Sequence, residues 1–266
     1  MTNALPSGAR AALGDVAEAL RFFTRLPLPA APAAPPAFDR IAWAAPVAGV
    51  CVGAVGAVVL GLAGRLGLPA PMSACLATAA LVAATGALHE DGLADVADGF
   101  GGGRTREQKL ALMRDSRIGA FGAVALMLAL MTRVAALFSA LSFGLPGAAG
   151  ALIIVAALSR AGALMPLALL EPARPDGAGA SAGRLGPASF AAACGVALLV
   201  AVALGLVTIG VGRAFDAALF SAIGAAAITA AAARQIGGQT GDVAGAAQQC
   251  AEIAAWCGLL MGRLAA

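Results

Sequence analysis

Residues 70–88 read APMSACLATAALVAATGAL, without a charge, and residues 89–100 follow as HEDGLADVADGF. An α-helix needs roughly 20 apolar residues to cross the hydrocarbon core of a bilayer. The junction therefore sets Glu90, Asp91, Asp95, Asp98 and the chain's single histidine, His89, at the end of a membrane helix. The surrounding sequence agrees. The chain has 266 residues, 61% of them hydrophobic and 12% charged, with a mean hydropathy of +0.90. A soluble domain carries about a quarter charged residues. The apolar surplus is too large for one water-soluble core, so lipid is the expected solvent.

Six further segments are long and apolar enough to cross, at about 41–64, 118–141, 147–170, 187–210, 214–233 and 243–263, the last two being the least clearly marked. Their Ala- and Leu-rich runs lack the period-two alternation of strands, which favours helices. Abundant Gly and Ala suit close helix packing in lipid. The expected fold is all-α: a polytopic integral membrane bundle of about seven transmembrane helices, forming one domain over 1–266. An N-terminal segment, 1–40, precedes it. Asp15, Glu18, Arg21 and Arg25 there suit an amphipathic interfacial helix rather than a cleaved signal.

Basic residues orient the bundle. With a cytoplasmic N-terminus, Arg10, Arg21, Arg25, Arg40, Arg104, Arg106, Lys109, Arg114, Arg117, Arg174, Arg184 and Arg234 fall on one side, and Arg65, Arg213 and Arg263 on the other. The positive-inside rule then places 89–117, 171–186 and 234–242 in the cytoplasm and the C-terminus outside. The five cysteines form no CxxC pair and read as small buried hydrophobes in helices. Tyr is absent and no aromatic residues interleave with basic ones, which argues against a nucleic-acid platform.

On a helix, Asp91, Asp95 and Asp98 stand at i, i+4 and i+7 and share one face. Like charges so placed repel unless a cation compensates, and hard oxygen ligands suit Mg²⁺, which keeps waters and shares substrate phosphates. A solvated acidic face is the plainer alternative. The glycines at 101–103 read first as a turn, and Thr105 as a cap for the next helix. Asp115 could complete a metal site or simply pair with the neighbouring bases. Arg114 and Arg117 could grip phosphate or anchor the cytoplasmic face. Arg133 and Arg160 fall inside spans, where an arginine is costly and usually functional. Arg160 is the candidate for an anionic substrate, whereas Arg133 has the alternative of snorkelling to the outer interface. Thr240 and Asp242 open the last span, as site residues or helix caps. Glu252 lies deeper on a similar face.

Four stretches together resemble one family: HEDGLADVADGFGGG (89–103), RDSRIGAFG (114–122), GGQTGDVAGA (237–246) and FFTRLPLP (22–29). They are similar to the cobalamin synthases, also called adenosylcobinamide-GDP ribazoletransferases, in the family's order and over nearly the whole chain. The resemblance implies a Mg²⁺-dependent, multi-pass enzyme of the cell (inner) membrane with its active site facing the cytoplasm. It would join adenosylcobinamide-GDP to α-ribazole or its 5′-phosphate, giving adenosylcobalamin or its 5′-phosphate and GMP. Its surroundings would be the lipid bilayer, and association with other enzymes of the pathway would fit. On that reading Asp91, Asp95 and Asp115 are metal ligands, and Asp98 is a fourth ligand or a base. His89 is the alternative base. Arg114, Arg117, Arg160 and Thr240 bind substrate, and Asp242 holds a ribose hydroxyl or a second metal. Glu90 replaces a variable, often apolar residue and adds a charge at the site.

Two other readings compete. A CDP-alcohol phosphotransferase also sets spaced aspartates at a membrane helix end, but needs DGxxAR followed by GxxxDxxxD. Here Asp95 stands close to where the arginine would be, and no second motif follows. A cation-coupled transporter would place its acids near the midplane, often within repeated halves, and no such repeat is visible.

Overall fold

A computed structural model describes residues 7–28 and 37–261. Parts of the expected interfacial segment (1–6 and 29–36, with Pro29) and Arg263 lie outside the described residues. Among the described residues twelve α-helices follow in order: α1 (Ser7–Phe23), α2 (Phe38–Ile41), α3 (Ala45–Arg65), α4 (Ala70–Thr85), α5 (Leu88–Gly102), α6 (Arg106–Leu112), α7 (Ala120–Ala140), α8 (Gly144–Leu169), α9 (Ala178–Ala182), α10 (Pro187–Val207), α11 (Val211–Gln235) and α12 (Gly241–Leu260). Among the described residues the sole β-type pairing is an isolated parallel bridge between Pro172 and Gln239.

Each of the seven expected segments is a helix: α3, α4, α7, α8, α10, α11 and α12. By length and apolarity, four helical stretches qualify as spans: Phe38–Arg65, Ala120–Leu169, Pro187–Val207 and Val211–Gln235, with α4 and α5 as a fifth if a bent pair is counted. The 50-residue stretch Ala120–Leu169 contains both α7 and α8. Straight, it would run about 75 Å, more than twice the bilayer core. A 3-10 turn at Leu141–Phe143 and Gly144, whose φ of 74° suits glycine, divide it. Helix α12 is less apolar because it faces protein: it packs on α5, α7, α8 and α11, and its Gln248, Gln249 and Glu252 are buried. The architecture is that of a polytopic helical membrane protein.

Small residues set the helix spacing. A side chain at Gly53 of α3 would stand 2.7 Å from the Cα of Ile153 on α8, and Gly49 and Gly56 also face α8. Such contacts let backbones approach where lipid removes the usual hydrophobic drive. The outer surface is apolar. Phe121, Val124, Leu128 and Met131 form an exposed stripe at helical spacing along α7. The cysteines differ from expectation. Cys75, Cys194 and Cys257 are exposed, Cys51 and Cys250 half-buried, and all are free. On a lipid-facing surface a small apolar side chain gains nothing from facing inward.

Two features position the site. First, α4 and α5 meet at 89°, so α5 leaves the line of that span. The corner consists of Gly86 (φ 65°) and Ala87 (φ 58°), both left-handed. A Cβ at Gly86 would stand 2.7 Å from the Arg25 Nε, and the Arg25 amide donates to Ala84 O at 2.7 Å. The TRLP stretch thus buttresses the corner. Second, Arg106 donates to Ile236 O at 2.8 Å and to Ala173 O. It ties α6 to the loops before α9 and α12, which the 172–239 bridge already joins.

Candidate active site

Helix α5 carries the acids as its spacing predicted, because the chain is helical from Leu88 to Gly102. It lies against α12 so closely that a Cβ on Gly92 would stand 2.7 Å from Asp242 O. Asp91 and Asp242 are thereby brought to one place from positions 151 residues apart. Two cavities flank this contact. One is mostly apolar, about 140 Å³, lined by Phe22, Phe23, Phe38, His89, Asp91, Leu164, Leu167, Asp242 and neighbouring small residues. The other is charged, about 380 Å³, lined by Glu90, Asp91, Asp95, Arg114, Asp115, Ser116, Arg117 and adjoining apolar residues. Asp91 belongs to both.

Asp91 is exposed and Asp95 half-buried. Burial first, then the carboxylates of Asp242, Asp91 and Asp98, push the Asp95 carboxyl up to about 7, against the opposing pull of Arg174. Asp98 is engaged structurally: its carboxylate accepts the amides of Gly119 (2.7 Å) and Gly122 (2.9 Å) at the start of α7, where a helix N-terminus favours an anion. Asp115 accepts Nε (3.0 Å) and Nη2 (2.7 Å) of Arg117. That pairing holds its carboxyl at about 2. Arg114 pairs with Asp176. Both arginines line the charged cavity, each beside a carboxylate at the surface. Among the described residues, no three His, Cys, Asp or Glu side chains are grouped closely enough to hold a metal ion by themselves.

At the start of α12, Thr240 is the cap: its hydroxyl accepts the Val243 amide at 3.2 Å and donates to Asp242 Oδ2 at 3.2 Å. It is 1% exposed, so the helix and Asp242 occupy its hydroxyl. Asp242 also takes Nη2 of Arg174 at 3.2 Å. Thr105 caps α6 through a reciprocal pair with Gln108, and the glycines at 101 and 102 end α5 rather than forming a separate turn.

The charges inside the bundle form a separate cluster. Arg133 does not snorkel outward: it is buried, donates to Glu90 at 2.6 Å and is ion-paired with Glu252 at 2.9 Å. Two buried acids within reach outweigh the pull of the interface. Glu90 accordingly turns an oxygen to Arg133 and to Gln249 (3.2 Å) rather than adding a free charge to the aspartates. Arg160 is buried, lies 3.9 Å from Glu252, and lines neither cavity. Gln248 links Glu252 (2.7 Å) to Ser159 (2.9 Å).

Sequence reasoning missed Arg174, the partner of Asp242, because nothing local relates positions 68 apart. It also missed the aromatic wall of Phe22, Phe23 and Phe38, although two of these stand inside the FFTRLPLP stretch.

The chain matches the family model described as cobalamin-5-phosphate synthase over residues 15–260. A protein of Azorhizobium caulinodans, named adenosylcobinamide-GDP ribazoletransferase, is 49% identical over 94% of this chain and 96% of its own length. Proteins of the same name from Xanthobacter autotrophicus and Mesorhizobium japonicum are each 49% identical, over 93% and 92% of this chain and 96% and 92% of their own. No solved structure matches at a significant level. With the match running through α5, the start of α7 and the start of α12, the chain belongs to the cobalamin-5-phosphate synthase family of transferases.

Proposed function

We propose that this protein joins adenosylcobinamide-GDP to α-ribazole, or to its 5′-phosphate, with release of GMP, at the cytoplasmic face of the cell (inner) membrane and with Mg²⁺. The observation that carries this reading is the pair of cavities meeting at Asp91: a charged one suited to a diphosphate and an apolar one beside it. A two-substrate transfer needs that arrangement, because the nucleophile must approach the phosphorus from a site next to the diphosphate.

The donor set fits Mg²⁺. Asp91 and Asp95 offer hard oxygens, and Asp242, Asp91 and Asp98 add to burial in raising Asp95, an arrangement that a bound cation would relieve. An ion held by these two side chains would complete its shell with water and substrate phosphate. When bound, Mg²⁺ would neutralise charge building on the diphosphate oxygens.

The chain's own residues do the rest. Arg117 and Arg114, at the rim of the charged cavity, exchange their carboxylate partners for phosphate oxygens. Asp242 accepts the hydrogen bond of the attacking ribose hydroxyl, with Arg174 and Thr240 fixing its orientation. The hydroxyl oxygen bonds the phosphorus on the cobinamide side. The bridging P–O bond breaks, GMP leaves, and the proton passes to Asp242. Asp98 and Arg160 hold structure in this scheme rather than substrate. Purified protein incubated with adenosylcobinamide-GDP, α-ribazole and Mg²⁺ is expected to release GMP. Folded protein that releases none above a protein-free control rejects the reading.

A further inference from the structure

We infer that the apolar cavity between α1, α5, α8 and α12 seats the aromatic base of the nucleoside acceptor, with His89 as its polar contact. This rests on the transferase reading and adds which side chains select the base.

The cavity is built around rings. Phe22 stands edge-on to Phe23 (4.9 Å, 88°) and to Phe38 (4.6 Å, 89°). Phe23 lies parallel to His89 at 6.1 Å. Leu164 and Leu167 close the side facing α8. His89 is 3% exposed, and its Nε2 has no hydrogen-bond partner. A buried polar atom left unpaired is uncommon in a protein that binds nothing beside it.

Size and polarity choose among the substrate parts. At about 140 Å³ the space is far too small for a corrin ring. Guanine fits by size, but it carries donors and acceptors around its rim that Phe and Leu side chains would leave unmatched. The base of a ribazole is a flat, largely apolar bicycle with one ring nitrogen free for a hydrogen bond. That matches an aromatic slot with a single imidazole. Asp91 and Asp242 line the same cavity, so a sugar attached to the seated base emerges beside the carboxylates that handle its hydroxyl.

The test varies the slot and the base together. Detergent-solubilised protein is titrated with α-ribazole, without the GDP substrate, using the fluorescence of the base. Steady-state KM is measured for both substrates with acceptors carrying benzimidazole or 5,6-dimethylbenzimidazole. Narrowing the slot with Leu164→Phe should raise the KM for the dimethylated acceptor about 10-fold or more relative to the unsubstituted one, the scale of methyl-sized discrimination in a tight pocket. Phe38→Ala should weaken both acceptors while leaving the KM for adenosylcobinamide-GDP within about twofold. His89→Phe, which keeps a ring but removes the nitrogens, should weaken binding in the titration, and His89→Gln should restore part of it. Variants that shift the GDP substrate as much as the acceptor, or leave the preference between the two bases unchanged, overturn the assignment. The titration separates this failure from failure of the transferase reading. Saturable ribazole binding that Leu164→Phe weakens supports the seat even if no GMP is released. Absence of binding by folded wild-type protein overturns it.

Discussion

Asp95 is where burial, with the neighbouring carboxylates of Asp242, Asp91 and Asp98 added to it, has its clearest chemical consequence. Its carboxyl in the folded protein stands near 7, above its ordinary value of 3.8. Between those two pH values the folded state holds a proton that the unfolded chain has released. By linkage, stability without a cation is fully present below the ordinary value and falls as pH rises through about 4 to 7. Metal-free protein is therefore expected to melt at a lower temperature at pH 8 than at pH 5. Added Mg²⁺ should raise the midpoint most at pH 8, and Asp95→Asn should flatten both trends. A wild-type midpoint that ignores Mg²⁺ at pH 8 would count against a cation at this corner. For catalysis, Asp91→Asn and Asp95→Asn should each lower transfer on the order of 10²-fold or more, with normal insertion and a monodisperse elution profile. Near-normal turnover of both in saturating Mg²⁺ would remove the pair from the metal site.

At the scale of elements, the contact between α5 and α12 turns two separate acids into one site. Gly92 permits it, since an added methyl would meet Asp242 O at 2.7 Å and the Cα of Gly245 at 3.1 Å. Ala is the better helix former by about 1 kcal/mol, so propensity alone favours Gly92→Ala. Packing opposes it, because α5 would have to shift away from α12 and part Asp91 from Asp242. Transfer is expected to fall on the order of 10²-fold, as a displacement of about 1 Å can do. Gly64→Ala on α3 is the control: nothing lies within 4 Å of its Cβ position, and activity should be unchanged. Equal activity of the two variants would show that this spacing does not matter. The i, i+4, i+7 pattern of the aspartates was legible in advance, because a helix repeats locally. The 89° corner was not, since it depends on Ala87 adopting a left-handed φ that alanine seldom takes.

Across the whole molecule, the buried charges bind the site segment to the bundle. Arg133 on α7 joins Glu90 on α5 to Glu252 on α12. Removing one partner of such a pair costs about 3–5 kcal/mol. Arg133→Met should therefore lower the thermal midpoint markedly, and Arg133→Met with Glu90→Gln should recover much of it, since Glu252 then retains Arg160. A single variant that melts like the wild type would mean that the network adds nothing. Much of this architecture can be read from the chain itself. Seven apolar segments become seven helices, because transfer from water to lipid depends on composition summed along a run. The acid-bearing stretches were recognisable because each is contiguous. The tertiary structure alone decided the pairings of distant residues: Arg133 with two glutamates, Asp98 with the start of α7, Asp242 with Arg174, and three phenylalanines lining one cavity with His89. Charge neutralisation and cavity shape depend on separations of a few ångströms between distant positions, and only packing sets those distances.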